Sequence, residues 1–552
     1  MKLRLLTAAA ALAFGAAPAV AQADKTSGPA VTAQLAPLGK ALTDVKAIVR
    51  TVAGDGAVKQ MEEAIKEGLG EKGFDGVDLL RPAAGYVNLD KVETFEDPKN
   101  ITGVLLVPIT DEKAFVEFLK RVKLDVEPVE GKAGLYRIDP RDGESAPFPV
   151  RMRFADRYAH IGFNVKDDAL AADKLVPAAK LVNPAERGLF AYTTYYSRLP
   201  KELIDQAFKQ TEQAAEQIKQ APLPPGAAEP LAEAVKSVMK MNEQMYREGD
   251  VAVVRLVYEQ ATEEVVYETT LKAKPGTALA KEVAARKAVT HRFAGLIGDA
   301  TAAALLAQLP TFTPEVRDAI TGALEAARKS AAQEVPQEYQ AAADEALAGL
   351  ARSVKSGEFD LGAALIGPDK DGTFTVVAGV SFDDPAKLEK ELRALHAKAP
   401  EEVRKQIKLD AAKAGDVSVH QIEAGPMLPP EAQKVFGEKA SVCVAFAPKA
   451  IHVAFGPAAV ESIQAAVAAK PGPAKALDLV VNPARVQKLA AAVDPQAGEQ
   501  AARALGTDDK KVSAFSISVE GGDELRVRVA VALKVIPRAI VQGTMAFGDA
   551  QP

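Results

Sequence analysis

Histidine is scarce in this chain. His160, His291, His396, His420 and His452 are all there are. Two of them stand in matching surroundings: His160 lies in Phe154 to Phe163 (FADRYAHIGF) and His452 in Phe446 to Phe455 (FAPKAIHVAF), with four of the ten positions identical. An imidazole titrates near neutral pH and can act as a general base or a metal ligand, but either role needs a partner. In an extended strand each histidine points away from Ile161 and Phe163, or from Val453 and Phe455, and sits beside a small residue, Gly162 or Ala454. Asp156 shares the His160 side, four residues earlier. Pro448 takes its place in the second segment, so no acid and imidazole pair is repeated. No His-Glu-x-x-His or paired-cysteine spacing offers a metal site. The expectation is therefore that His160 and His452 are structural, each packed beneath a helix.

Other residue patterns carry less chemistry than their spacing suggests. Gly68-Leu69-Gly70-Glu71-Lys72-Gly73 has dinucleotide-loop spacing. It follows a helical pattern and precedes the strand-like Val77 to Leu80, the reverse of the strand, turn, helix order that would aim a helix N-terminus at a pyrophosphate; a helix stop is expected. Ser237-Val238-Met239-Lys240 has the serine and lysine spacing of penicillin-recognising enzymes without the companion motifs. Asp369-Lys370-Asp371-Gly372 resembles the start of a calcium loop, but Phe374 occupies the sixth position, where that loop needs glycine, so a strand-joining turn is expected. The single cysteine, Cys443, alternates with Val442 and Val444 and reads as a buried apolar residue with no internal disulfide partner. No cofactor is expected. With no tryptophan and 5% aromatic residues, the remaining cluster is Tyr192, Tyr195 and Tyr196, a candidate binding patch whose plainer reading is a sheet-edge or core strand with its hydroxyls satisfied. Their counterparts Leu479, Asn482 and Pro483 are not aromatic.

The elements that must position these residues are themselves written twice. Val104 to Ile109, an apolar run, leads into a helical Asp111 to Val122, and Phe374 to Val380 leads into Asp383 to Leu395. Leu135 to Asp139 matches Val419 to Glu423. After the two histidine strands come helical patterns at Asp167 to Leu175 and Ala458 to Ala468, then strands at Leu189 to Tyr196 and Leu477 to Val481. Each half closes on a hairpin, Val251 to Tyr258 with Glu264 to Lys274, and Val512 to Val519 with Glu524 to Val535, the latter joined across Gly521-Gly522. Ala-rich stretches with helical spacing precede the strands: Val31 to Val52, Ala57 to Leu69, Ala300 to Leu309, Pro314 to Ser330 and Gln337 to Ser353. Pro200 to Lys219 and Glu229 to Arg247 read as helices separated by a Pro-rich break. Hairpins alternate with strand and helix units without a regular βαβα run, so the fold class is α+β, with two duplicated domains, each a mostly antiparallel sheet covered by Ala-rich helices. The expected bounds are 24–290 and 291–552.

The first 23 residues have a leader pattern: Lys2 and Arg4, an apolar Leu5 to Ala17, and small residues before a cleavage point after Ala21 or Ala23. This apolar run is shorter than the ~20 residues a span needs, and the expectation is export to the periplasm or medium with no membrane span after cleavage. The 552 residues, 48% hydrophobic and 26% charged, suit two folded domains. A formal charge of −6 gives no footprint for nucleic acid. The leader, Ala-rich helices and repeated βαβββαβ units ending in a hairpin resemble uncharacterised exported bacterial proteins with an internally duplicated α+β domain; the likeness implies location and architecture, and no site residues. The functional expectation is an exported, non-catalytic protein that binds a protein partner or apolar ligand through sheet and helix surfaces. The alternative is an envelope hydrolase with an unfamiliar active site, which would need His, acid or Ser groups converging on a pocket.

Overall fold

The computed structural model describes residues 28–89, 101–141, 148–202, 204–206, 208–209, 240, 242–287, 289–308, 314–357, 359–505 and 515–533. The fold is mixed α and β, and every strand pairing given for these residues is antiparallel. The described residues fall into two compact units, one holding 28–209 and 242–279, the other 240 and 280–533.

The first unit has ten strands: β1 Val31–Leu35, β2 Ala83–Asn88, β3 Thr102–Pro108, β4 Leu124–Pro128, β5 Leu135–Pro140, β6 Val150–Ala155, β7 Tyr158–Phe163, β8 Phe190–Tyr195, β9 Gly249–Glu259 and β10 Glu264–Ala273. Their pairing gives the order β4-β5-β6-β7-β3-β2-β1-β8-β9-β10. Helices among its described residues include α1 Leu38–Ala53, α2 Asp55–Leu69 and α3 Glu112–Arg121. The last shows why its sequence folds locally. Asp111 caps it, its carboxylate accepting from the Ala114 amide at 2.9 Å, and Glu112 opens while Lys120 and Arg121 close the helix in the sense its dipole favours. Phe115 and Leu119, four apart on one face, are then buried against Ile138, Met152, Ala159 and Ile161.

Alternation along β7 sends Tyr158 and His160 to the opposite face. There Tyr158 joins Leu106, Leu135, Val165 and Leu170 in a second core. The segment expected as a helix over Asp167 to Leu175 is a 3₁₀ turn, Asp167–Leu170. Pro177 pushes Val176 out of the helical region, and Ala171 is already extended at ψ 144.

The second unit also has a ten-strand ladder, drawn from β11 Val289–His291, β12 Thr301–Gln308, β13 Asp360–Ile366, β14 Thr375–Ser381, β15 Ile407–Ala414, β16 Val417–Glu423, β17 Ser441–Ala447, β18 Ala450–Gly456, β19 Gly472–Ala474, β20 Leu477–Val481, β21 Phe515–Glu520 and β22 Leu525–Ala532. The order is β15-β16-β17-β18-β14-β13-β12-β20-β21-β22, with β11 and β19 paired apart from it. Helices α4 Pro314–Glu334 and α5 Gln337–Ser356 separate β12 from β13, α6 Pro385–Lys398 follows β14, α7 Ala459–Ala468 follows β18, and α8 Pro483–Val493 follows β20.

Two of the Ala-rich stretches read as helical contain strands. Val31–Leu35 is β1, and the helix begins at Leu38, after Pro37. Thr301–Gln308 is β12, not a helix. Both strands lie inside their ladders with a partner on each side, and those two rows of hydrogen bonds override the modest helix preference of alanine.

Candidate functional site

His160 is fully buried, and neither ring nitrogen has a protein hydrogen-bond partner. Burial holds its pKa below the ordinary imidazole value. Asp156 is taken up by the turn between β6 and β7, where it and Arg157 have φ of 52 and 62, and no hydrogen bond joins it to the ring. The small neighbour Gly162 serves a different purpose from making room for the imidazole: a Cβ there would lie 2.4 Å from a Val165 methyl. His452 is 4% exposed. Its ring packs edge to face with Phe293, the ring centres 5.4 Å apart, and Phe293 in turn rests over Gly362 and Gly379, where added Cβ atoms would come within 2.5 and 2.2 Å of it. Burial, helped by the Arg292 charge, pushes the His452 pKa down to about 4. Its face is covered by α7, which buries Ala459 and Ile463 in the same core as Ala450 and Ala454.

The three tyrosines separate. Tyr196 lies in a 3₁₀ turn after β8, 5% exposed, against Tyr246 at 5.4 Å. Tyr195 is half-buried beneath Arg198, whose guanidinium carbon is 4.0 Å from the ring centre. Tyr192 points to the opposite face of β8 from Tyr195's strand neighbour Thr193, beside Phe190 at 6.2 Å. The register places Phe190 against Leu256 and Leu256 against Tyr267; Leu256 is 37% and Tyr267 46% exposed. Tyr192 therefore belongs to an apolar patch on β8, β9 and β10.

The remaining sequence candidates also have places. Gly70 ends α2 with φ 72. Asp369 opens the turn before β14, accepting from the Asp371 and Thr373 amides at 3.0 and 2.9 Å and from the Thr373 hydroxyl at 2.9 Å. Cys443 is fully buried and unpaired. Ser237 to Met239 lie outside the described residues, as do most of Pro200 to Lys219 and Glu229 to Arg247. Among the described residues no group of three or more His, Cys, Asp or Glu side chains could hold a metal, and no helix is long and apolar enough to cross a membrane.

The larger feature lies on the second unit's sheet, on the face opposite His452. Cross-strand registers align Val444, Val453, Ala378, Ala363, Leu305, Leu479, Ile517 and Val529 in one row across eight strands. The rows on either side are apolar too, Phe446, Ile451, Val380 and Leu361 in one, Val442, Phe455, Val376 and Leu365 in the other. Helices cover the ends of this surface. Leu350 of α5 and Leu388 and Leu395 of α6 pack on Phe446 and Ile451, while Phe436 lies 4.7 Å from Phe455 and Leu489 of α8 packs near Leu365. Between them Val453 is 39% and Leu361 37% exposed.

No family model matches the sequence, and no curated protein does. A solved structure titled "Structure of crystal form III of TP0453" aligns with 48% of this chain and 86% of its own, at 9% identity and a TM-score of 0.22. A likeness at that level carries no statement about activity.

The apolar surface had a sequence signal: TVVAGVS, SVCVAFA and AIHVAFG are apolar at nearly every position, not at every second one, so both faces of those strands are apolar. The Leu256 and Tyr267 patch had none, because its members meet only through strand register.

Proposed function

We propose that this chain is an exported, non-catalytic binding protein that arose by doubling one α+β domain, and that it takes a protein partner or an apolar ligand on sheet surface its helices leave open. The observation that carries the binding reading is the exposure of Val453 and Leu361 in the middle of an apolar sheet face flanked by helices. Apolar side chains left in water at the centre of a sheet, where burial is easiest, are what a site for apolar surface requires. Export rests on the leader pattern at Met1 to Ala23.

Doubling is supported by correspondences at three levels. The two ladders run in the same order through matched strands, β4-β5-β6-β7-β3-β2-β1-β8-β9-β10 beside β15-β16-β17-β18-β14-β13-β12-β20-β21-β22. A pair of helices divides the first two ladder strands in each, and α3 and α6 occupy the same place after the third. A ring pair also recurs, Tyr136 with Phe154 at 5.6 Å and His420 with Phe446 at 5.9 Å.

Fluorescence of 1-anilinonaphthalene-8-sulfonate with the native full chain tests the binding reading. The native protein should enhance the dye, and a Leu361→Lys, Val453→Lys double variant should roughly halve that signal while keeping its circular dichroism and melting temperature. Equal enhancement by both proteins, or none by the native chain, would reject it.

A further inference from the structure

Strand β15 is the outermost of its ladder, paired only with β16 among the described strands. It is irregular: between the pairs Lys408 with Gln421 and Ala412 with Val419, the residues Leu409, Asp410 and Ala411 stand against His420 alone. Asp410 has φ 56, a conformation that costs a non-glycine residue free energy and persists only when its surroundings hold it. Those surroundings are specific. The Asp410 amide donates to His420 Nδ1 at 3.1 Å, and the Asp410 carboxylate is gripped by both terminal nitrogens of Arg393 at 2.9 and 2.6 Å. On its other side the His420 ring meets Glu389 Oε1 through Nε2 at 3.2 Å. Since Nδ1 accepts, the proton of the neutral ring is on Nε2, directed at Glu389. The imidazole thus ties α6 to the bulge of β15.

We propose that His420 is a proton-operated latch on this edge strand: when Nδ1 takes up a proton it can no longer accept the Asp410 amide, so the ring keeps Glu389 and releases the bulge. The geometry demands this, because an imidazolium has two N–H donors and no acceptor. The charged groups that face the ring are Glu389 and Arg393 from α6 and Asp410 from β15; β16 adds the Ser418 hydroxyl and β17 the Phe446 ring. Arg393 binds both carboxylates, Glu389 at 2.7 Å as well as Asp410. The imidazolium would therefore sit in a site with one net negative charge, and none of these groups restores the lost amide bond. A second histidine fastens the start of the same strand: His396 Nε2 of α6 lies 3.2 Å from the Ile407 carbonyl. Protonation leaves that bond intact, since Nε2–H donates in either state. The opening is confined to the bulge.

Hydrogen–deuterium exchange of the full chain, followed by mass spectrometry on peptides spanning 407–414 and corrected for the intrinsic pH dependence of exchange, tests the latch. From pH 8 to pH 5 the bulge should lose protection roughly tenfold, while peptides in β17 do not change. His420→Gln has no titratable group and should show no step. Flat exchange in the native chain, or the same step in His420→Gln, would overturn the proposal.

Discussion

Cys443 and Tyr196 show how far the fate of a single side chain follows from its strand. Cys443 stands opposite Ala454 and Gln421 on neighbouring strands and is packed among Val419, Ala445 and Ile463. Burial raises its thiol pKa, so both access and thiolate fraction are low. With 5,5′-dithiobis(2-nitrobenzoate) the native chain should release almost no thiolate over the time in which the unfolded chain reacts fully. Rapid native labelling would mean that this core opens. Tyr196 shares a sequence cluster with Tyr192 but leaves the strand at β8's end, and the change from strand to 3₁₀ turn carries it into the interior beside Tyr246. Alternation predicts sides only while the strand lasts.

At the scale of elements, the two histidine faces reach the same density by different means. In the first unit Leu106 stands directly opposite His160 and Ala84 opposite Leu106. The second unit has Gly379 and Gly362 in that row, and the Phe293 ring supplies the missing volume from above. Neither glycine has a positive φ, so space and not backbone conformation requires them. Gly379→Val should therefore destabilise by about 2 kcal/mol through overpacking. Combining it with Phe293→Leu should recover part of that loss in a denaturant-unfolding cycle, whereas strict additivity would show that the valine and the ring do not meet. Strands β3, β5, β8, β14, β16 and β20, the helices after β3, β14 and β18, and both hairpins were legible in the sequence, because apolar period and turn residues decide them locally, whereas the two histidine runs, read as single strands, turn at Asp156-Arg157 and Pro448-Lys449 to give β6 with β7 and β17 with β18. Residues 31–35 and 301–308 were not: an Ala-rich segment fits either period, and only the ladder partners on both sides choose the strand. The bulge at Asp410 and its grip by Arg393 and His420 were hidden for the same reason, being a property of register.

For the whole molecule the buried histidines set the response to acid. His160 and His452 both have pKa values lowered mainly by burial, the latter to about 4 with a further push from Arg292. An unfolded imidazole titrates near 6.5. Because the folded value is the lower one, the unfolded chain binds protons more readily as pH falls, and protonation draws the equilibrium toward unfolding. The stabilising effect of a neutral His452 is thus complete above about pH 6.5 and is lost as pH falls from there to about 4. A difference of this size corresponds to about 3 kcal/mol at pH 4, large beside a typical net stability. Carboxylates held low by ion pairs, Asp410 by Arg393 among them, begin to lose their stabilising effect at the lower end of this window, where the unfolded carboxyl takes up a proton while the folded one stays charged. The comparison that isolates His452 is therefore between the native chain and His452→Gln. Urea unfolding at pH 7 and pH 4 should show the native chain losing about 3 kcal/mol more than the variant over this interval. If both lose the same amount, the imidazole of His452 is already protonated in the folded protein or stays solvated, and the core around Phe293 is not closed over it.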